Sequence, residues 1–265
     1  MLEGDFLNKI LFDYLQSQDY NSITDGCIQW IRQWFAENGP SSPAVIGISG
    51  GKDSTVVSAL CVEALGKDRV FGVLMPNGVQ PDIDYSIGVV DHLGIKSAVV
   101  NIKDAYEGER LAIEAGLPEY PLSSQALINL APRIRMATLY AVSQCMNGRV
   151  SNNSNRSERY VGYSTIFGDS VGDFSPLLHL TATEVRLVGK LLGIPDRYIE
   201  KPPSDGLSSR TDEDAFGFSY EALDTYILTG QCSDEEILAR IDRRHQANLF
   251  KLKPMPSYSF QEEER

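Results

Sequence analysis

Short apolar segments of strand length alternate with segments of helical periodicity, and this alternation constrains the fold more than any other feature of the sequence. The runs PAVIGIS, RVFGVLMP and KSAVVNI, at residues 43–49, 69–76 and 96–102, have the length and β-branched content of strands. The segments between them, 53–66 and 81–94, have helical spacing and end in glycine. Strands that alternate with helices in this way predict βαβ units, and hence an α/β fold with a doubly wound parallel sheet and flanking helices.

Four further segments have helical periodicity. They lie at residues 22–39, 123–148, 182–193 and 235–250. The last two follow capping-box patterns, Thr181 with Glu184 and Ser233 with Glu236. Residues 201–217 are rich in proline, glycine, serine and acids, which predicts a long surface loop. No internal repeat, low-complexity tract or domain boundary is evident, so residues 1–265 are predicted to form a single domain.

The composition argues against several classes of function. The net charge of −12 opposes binding of DNA or RNA through a broad basic surface, whereas small anions remain possible ligands. No apolar run reaches the roughly 20 residues that span a bilayer, and the N-terminus lacks a signal-peptide pattern. The four cysteines form no CxxC pair, so we expect unpaired thiols in a reducing cytoplasm rather than a zinc ribbon or a redox dithiol.

The loop between the first predicted strand and its helix, GISGGKDST at residues 47–55, has the composition of a phosphate-binding turn. Backbone amides of a glycine-rich turn converge on phosphate oxygens, and Gly50 and Gly51 permit a close approach. Walker A is excluded, because Asp53 stands where that motif has a hydroxyl residue. An acid beside phosphate needs a cation between them, so Asp53 predicts Mg²⁺ shared with a nucleotide. A solvated turn with a fortuitous glycine pair is the alternative.

Several segments of the chain resemble one enzyme family. SGGKDS resembles the SGGxDS loop of the N-type ATP pyrophosphatases. NLAPRIRMATLYAV, the segment 151–177 with its ending GDSVGDFSPL, KPPSDGL, FSYEALDTYI and the tail HQANLFKLKPMP are similar to segments of ammonia-dependent NAD synthetases, in the same order. This resemblance covers nearly the whole chain. It implies an adenine nucleotide alpha hydrolase-like, Rossmann-like fold. It also implies amidation of deamido-NAD by ammonia through an adenylated intermediate, giving NAD, AMP and pyrophosphate.

The resemblance also implies roles for individual residues. The positions that correspond to ATP-binding residues are Gly47, Ile48, Ser49, Gly50, Gly51, Lys52, Asp53, Ser54, Asn153 and Ser204. Asp53 and Glu158 correspond to the ligands of Mg²⁺. Arg133, Asp173 and Lys251 correspond to residues that contact deamido-NAD. Of these three, Asp173 corresponds to an aspartate near the nicotinate ring and is the candidate catalytic residue.

The chain departs from the family pattern at several positions. Asn153 and Ser204 stand where the family has threonines, and Phe250 replaces a histidine. Ile166 and Ala182 stand at positions where lysines are usual. Losing one charge-assisted contact costs roughly 1.5–3 kcal/mol. Two alternatives therefore stay open: an AMP-forming ATP pyrophosphatase with a different substrate, and a degenerate homologue that binds nucleotide without turnover.

The predicted partners are small molecules and a second copy of the chain. No glutaminase segment is evident, so free ammonia, or ammonia from a separate protein, is the expected nitrogen source. Members of the resembled family are homodimers whose deamido-NAD site lies across the interface, which implies a homodimer here. The three histidines fall in no triad pattern, which is consistent with a reaction in which the substrate supplies the nucleophile.

Overall fold

The computed structural model describes residues 3–201, 212–232 and 234–258. Within them, a parallel sheet is formed by β1 (Ala44–Gly47), β2 (Val70–Leu74), β3 (Lys96–Val99) and β4 (Arg149–Val150). The strand order is β3-β2-β1-β4. The predicted α/β fold with a parallel sheet and flanking helices is therefore confirmed.

Helices surround this sheet and continue beyond it. They are α1 (Glu3–Gln16), α2 (Tyr20–Asn38), α3 (Lys52–Leu65), α4 (Ile83–Leu93), α5 (Lys103–Gly116), α6 (Ser124–Cys145), α7 (Arg156–Tyr160), α8 (Ala182–Leu191), α9 (Asp196–Ile199), α10 (Asp212–Phe216), α11 (Tyr220–Thr229) and α12 (Glu235–Leu252). A single 3₁₀ turn, Lys67–Arg69, precedes β2. In the described part of the chain, no helix is both long and apolar enough to cross a bilayer.

Each face of the sheet is covered by its own apolar core, because successive side chains of a strand point to opposite faces. In β1, Ile46 packs into the larger core with Phe35 of α2 and Leu60 of α3. Val45, its neighbour, packs on the other face with Leu139 of α6. All five of these side chains are buried. Helices on both faces place the strands in the interior, as expected for a doubly wound sheet.

The order of the strands locates the ligand edge of the sheet. β1 pairs with β2 on one side and with β4 on the other, so the chain reverses its direction of winding at β1. In open α/β sheets, ligands bind at such a switch point, beyond the carboxyl ends of the strands. β1 ends at Gly47 and α3 begins at Lys52, so the glycine-rich loop lies at this position.

The sequence prediction differs from the structure in several elements. Helices α1, α5, α7, α9 and α11 were not predicted, nor was the two-residue strand β4, which is too short to carry a periodic signal. The predicted loop 201–217 contains α10, whose first turn holds acids that favour a helix N-terminus. The cap of α12 is Asp234, which accepts hydrogen bonds from the amides of Glu236 and Ile237, and Ser233 lies outside the described residues. The capping box of Thr181 and Glu184 is confirmed.

A third, smaller core is formed by helices that follow the last strand of the sheet in the sequence. It joins α8, α10, α11 and α12 through buried side chains such as Ala182, Phe216, Leu223 and Ile241. Buried Asp224 of α11 ties this unit to its surroundings, because its carboxylate accepts hydrogen bonds from Ser157 of α7 and from the amide and hydroxyl of Thr183. This unit forms the wall that faces the glycine-rich loop.

Candidate active site

A large cleft opens at the carboxyl edge of the sheet. Its volume is about 920 Å³, at the upper end of the range for small-molecule sites. The walls come from the loop after β1, the first half of α6, the segment from β4 to residue 169, and the start of α10 with the end of α12. The cleft therefore lies between the sheet and the third core. Most of the predicted site residues line it: Gly47, Ile48, Ser49, Gly51, Lys52, Asp53, Ser54, Arg133, Asn153, Glu158 and Lys251.

The glycine-rich loop has the backbone geometry of an anion cradle. Gly50 has φ +76°, the left-handed region that favours glycine, and an added Cβ there would lie 2.8 Å from the amide nitrogen of Ser86. Gly51 is the N-cap of α3 and supplies no side chain to cap the helix. The first amides of α3, with the positive end of the helix dipole, therefore point towards the cleft.

Hydroxyl groups brace this loop from within. The Oγ atoms of Ser49 and Ser54 lie 3.0 Å apart, and Ser54 Oγ donates to the carbonyl of Gly51 at 3.2 Å. Thr55 Oγ1 donates to the same carbonyl at 2.7 Å and is fully buried, which makes it a structural residue. Asn153, in the loop after β4, contributes as well, because its Nδ2 donates to the carbonyl of Gly47 at 3.1 Å. These hydrogen bonds within the protein hold the loop in shape.

Two acidic side chains from different elements lie close together beside the glycine-rich loop. Asp53 lies in the first turn of α3, and its Oδ1 accepts a hydrogen bond of 3.0 Å from Asn155 Nδ2. Asn155 also caps the short helix α7, and so positions Glu158 in its first turn. Burial and the nearby Asp53 carboxylate raise the pKa of Glu158 to about 8. The two carboxyl groups therefore interact directly through space.

Lys52 occupies an unusual position for a lysine. Its side chain is 4% exposed, and its Nζ lies 2.7 Å from Asp53 Oδ2. The same ammonium lies over the ring of Tyr220, 5.5 Å from the centroid. Burial alone would lower the pKa of Lys52, but the carboxylates of Asp53 and Glu158 outweigh it and raise the pKa. Lys52 is therefore a buried cation that faces both acids.

A third acid and two cations lie deeper along the cleft. Asp169 accepts a hydrogen bond of 2.6 Å from the amide of Thr165, and its enclosed position raises its pKa. Arg135 donates to the carbonyl of Met75 at 3.0 Å, and burial lowers its pKa while Asp169 opposes that effect. Lys251 Nζ donates to the carbonyl of Gly162 at 2.8 Å, and burial likewise lowers its pKa. These charges suit an anionic substrate with a polar end.

Sequence reasoning did not single out Asp169 and Arg135. Arg135 lies two residues after Arg133, so the RxR spacing was a usable signal. Asp169 closes the aromatic-Gly-Asp triplet that follows Ile166. Both side chains line the cleft.

The structure does not bring every predicted residue to the cleft wall. Asp173 is exposed outside the lining, with its Oδ2 accepting from the amide of Val150 at 2.7 Å and its Oδ1 from the hydroxyl of Tyr140 at 3.2 Å. Gly50 supports the loop from behind and faces Ser86 of α4. Ser204 lies outside the described residues. The roles assigned to these residues stay predictions.

The positions that depart from the family pattern are also placed. Ile166 lines the cleft and its carbonyl accepts from Arg133 Nε at 3.3 Å. Phe250 lines it as well, with 64% of its surface exposed. Ala182 is fully buried in the third core, and its amide donates to Ser157 Oγ at 2.9 Å. The cleft thus presents apolar surface at Ile166 and Phe250.

The carboxyl groups of Asp53 and Glu158 are suitable ligands for magnesium. Asp53 and Glu158 offer carboxylate oxygens, the hard ligands that Mg²⁺ prefers. Across residues 3–201, 212–232 and 234–258, no group of three His, Cys, Asp or Glu side chains is placed to hold a metal ion. A site with one or two carboxylates leaves the remaining positions for water and phosphate oxygens, as is usual for magnesium bound with a nucleotide.

Comparison with known proteins gives one consistent result. The sequence profile of the family described as NAD synthase matches residues 23–260. The NH(3)-dependent NAD(+) synthetase of Methanocaldococcus jannaschii is 39% identical over 218 residues, which is 80% of this chain and 82% of the relative. That of Finegoldia magna is 35% identical over 244 residues, 91% of this chain and 98% of the relative. Among solved structures, NMN synthetase from Francisella tularensis superposes with a TM-score of 0.82 at 30% identity, covering 92% of this chain and all of the other.

Proposed function

Because this chain belongs to the NAD synthase family, we propose that its cleft carries out the ammonia-dependent synthesis of NAD(+) from deamido-NAD and ATP. The chain is an enzyme of the ligase class, since the reaction forms a C–N bond at the expense of ATP. The observation that carries the assignment to this cleft is the glycine-rich cradle with Asp53 and Glu158 below it.

The proposed reaction has two steps. The nicotinate carboxylate of deamido-NAD attacks the α-phosphorus of ATP, and the bond to pyrophosphate breaks. Ammonia then attacks the carbonyl carbon of the mixed anhydride, loses a proton, and displaces AMP. The substrate supplies the nucleophile, so the protein contributes positioning and charge neutralisation.

Different residues of the cleft have different roles in this reaction. The amides after Gly51 and the hydroxyl of Ser49 bind the phosphate oxygens of ATP. Arg133 and Lys251 lie further along the wall, where they would bind the anionic groups of deamido-NAD. Asp53 and Glu158 would hold Mg²⁺, which neutralises phosphate charge when it is bound. The catalytic role of Asp173 is proposed from family resemblance alone.

We also propose that the enzyme works as a homodimer in the cytoplasm. α5 has no buried residue, and the surface that it shares with α6 exposes apolar side chains. They are Leu111 of α5, Leu117 and Tyr120 in the connection to α6, and Ile128 of α6. This α5–α6 surface adjoins the cleft, because Ile128 also belongs to the cleft wall. A cytoplasmic location is supported by the four cysteines, all of which are unpaired.

One assay tests the proposed reaction. The protein is incubated with ATP, Mg²⁺ and ammonium, with and without deamido-NAD, and both pyrophosphate and NAD are measured. We expect the two products in equal amounts and only when deamido-NAD is present. Nucleotide binding without release of pyrophosphate would instead identify a degenerate homologue, and would refute the proposal.

A second candidate substrate has a specific observation behind it. The solved structure with the TM-score of 0.82 is an NMN synthetase, so the acid amidated here would be nicotinate mononucleotide, which lacks the AMP half of deamido-NAD. The same assay separates the two: kcat/KM is measured for each acid at saturating ATP and ammonium. A higher kcat/KM for the mononucleotide would favour this second candidate.

A further inference from the structure

Lys52 does not behave like the other residues of the glycine-rich loop. Lys52 lines the cleft with the rest of the loop, but its side chain is only 4% exposed. Its ammonium makes a 2.7 Å contact with Oδ2 of Asp53, while Oδ1 is taken by Asn155 at 3.0 Å. Both oxygens of Asp53 are thus engaged within the protein.

The surroundings of the ammonium are unusually acidic for so small a space. Besides Asp53, the acids Glu158 and Asp224 interact electrostatically with Lys52. Arg186 is a cation whose charge repels the Lys52 ammonium. The ring of Tyr220 closes the remaining side at 5.5 Å. Lys52 is therefore the counter-ion of a buried acidic group, and removing it would leave those carboxylates without their nearest positive charge.

We propose that Lys52 is a positioning residue of the metal site: its ammonium binds the Asp53 carboxylate and competes with a divalent cation for that carboxylate. The inference rests on the proposed magnesium site at Asp53 and Glu158. A divalent cation and an ammonium group that share one carboxylate repel each other. Binding of the cation alone is therefore weakened by Lys52.

The nucleotide removes this conflict. Its phosphates bring negative charge into the cradle directly above the loop, and both cations then have anionic partners. Metal binding and nucleotide binding become coupled: each strengthens the other by the same factor. Lys52 thereby favours binding of the metal together with ATP over binding of the metal alone.

The test measures metal binding directly. Mn²⁺ replaces Mg²⁺ as the probe, and the free ion is followed by electron paramagnetic resonance in the full-length protein, without and with ATP. For Lys52→Gln without nucleotide we expect Mn²⁺ affinity to rise roughly tenfold. The factor by which ATP strengthens Mn²⁺ binding should fall correspondingly. Lys190→Gln is the control. The substitution removes the same charge, but Lys190 pairs with Glu200 outside the cleft.

Two outcomes overturn the inference. Unchanged or weaker Mn²⁺ affinity in Lys52→Gln would show that the ammonium does not compete with the metal. Lys52→Met, which has similar volume, repeats the test if the glutamine variant does not fold. The double variant with Asp53→Asn locates the ion: loss of binding confirms the site, whereas unchanged binding refutes the metal site and this inference with it. If Mn²⁺ affinity does not rise in Lys52→Gln but binding is lost with Asp53→Asn, only the inference about Lys52 is refuted and the proposed metal site stands.

Discussion

At the scale of single residues, the cleft combines positions that any phosphate-binding loop needs with positions particular to this chain. Gly50 and Gly51 determine the backbone conformation of the loop. Gly50 has a positive φ, and Gly51 is the N-cap of α3 and has no side chain that could block the helix amides. Asp53 serves the chemistry, because it faces both Lys52 and the region of Glu158. These roles differ in what a substitution should change, so each can be tested separately.

Asp53→Asn should abolish turnover. The change keeps the shape of the side chain but removes the charge that a magnesium ion needs, so we expect pyrophosphate release to fall at least roughly 100-fold. The melting temperature should fall, because the variant leaves the buried Lys52 ammonium without its carboxylate partner at 2.7 Å, although it also relieves the interaction with Glu158. Asp91→Asn, on the exposed face of α4, is the matched control. Activity close to wild type in Asp53→Asn would remove the argument for a metal ligand.

The two glycines should respond differently to alanine. Gly50→Ala forces a left-handed residue and a contact of 2.8 Å with Ser86, so we expect a loss of stability of about 1–3 kcal/mol. In Gly51→Ala the new Cβ meets only Ser49 Oγ at 3.4 Å, an ordinary contact, so the fold should tolerate it. That methyl group lies where phosphate approaches, and ATP affinity should fall at least about tenfold. Thermal melting and ATP titration of both variants measure the two effects, and unchanged ATP affinity in Gly51→Ala would contradict the cradle.

At the scale of elements, ion pairs and caps connect the parts of the cleft wall. Asp82 precedes α4 and pairs with Lys201, which follows α9 and is the last residue described before position 212. Both side chains line the cleft. The ammonium of Lys201 also lies 4.7 Å from the centroid of the Tyr85 ring. This contact ties α4 to the start of the segment that contains Ser204.

The Asp82 pair predicts a dependence of stability on pH. The hydrogen bond from Lys201 lowers the pKa of Asp82, so the folded state favours the carboxylate. Its contribution is complete above the ordinary aspartate pKa near 4 and is lost as the pH falls further. We expect Asp82→Asn to be less stable than wild type by under about 1 kcal/mol at pH 7, and the difference to be smaller at about pH 3 than at pH 7. Thermal melts across that range measure it. Asp84→Asn in the same helical turn is the control, and an equal difference at both pH values would contradict the pairing.

At the scale of the whole molecule, the chain divides its apolar surface unevenly. The sheet and its flanking helices bury two cores, and the later helices bury a third. α5 contributes to none of them, although its sequence carries apolar residues. An amphipathic helix that leaves its apolar side chains on the surface, next to the cleft, forms the kind of patch that a second copy covers.

Leu111→Asp should therefore weaken the proposed homodimer. Leu111 is 54% exposed on α5, and a charge there would have to be desolvated in the interface. We expect a shift from dimer to monomer in analytical ultracentrifugation at micromolar concentration, with a lower affinity for deamido-NAD if the partner completes that site. Leu191→Asp on α8, at 47% exposure, is the control. An unchanged dimer in Leu111→Asp would exclude this surface as the interface.

The sequence by itself determined the βαβ order, the position of the glycine-rich loop, and the chemistry of that loop. These are local properties: strand and helix periods differ, and a phosphate turn is contiguous in the chain. Whole-chain resemblance added Glu158, Arg133 and Lys251, all of which line the cleft. The sequence did not predict the two-residue strand β4 or the cap of α12 at Asp234. Their sequence signals are short, and they depend on contacts with neighbouring elements.

Only the tertiary structure decided which charged groups face one another. Lys52 and Glu158 are more than one hundred positions apart, and their proximity follows from the pairing of β1 with β4 and from the Asn155 cap of α7. The sequence could not reveal that Lys52 is buried beside Asp53, nor that Asp169 rather than Asp173 lies in the cleft wall. Electrostatic interaction depends on distance and burial in space, which no sequence spacing fixes across separate elements.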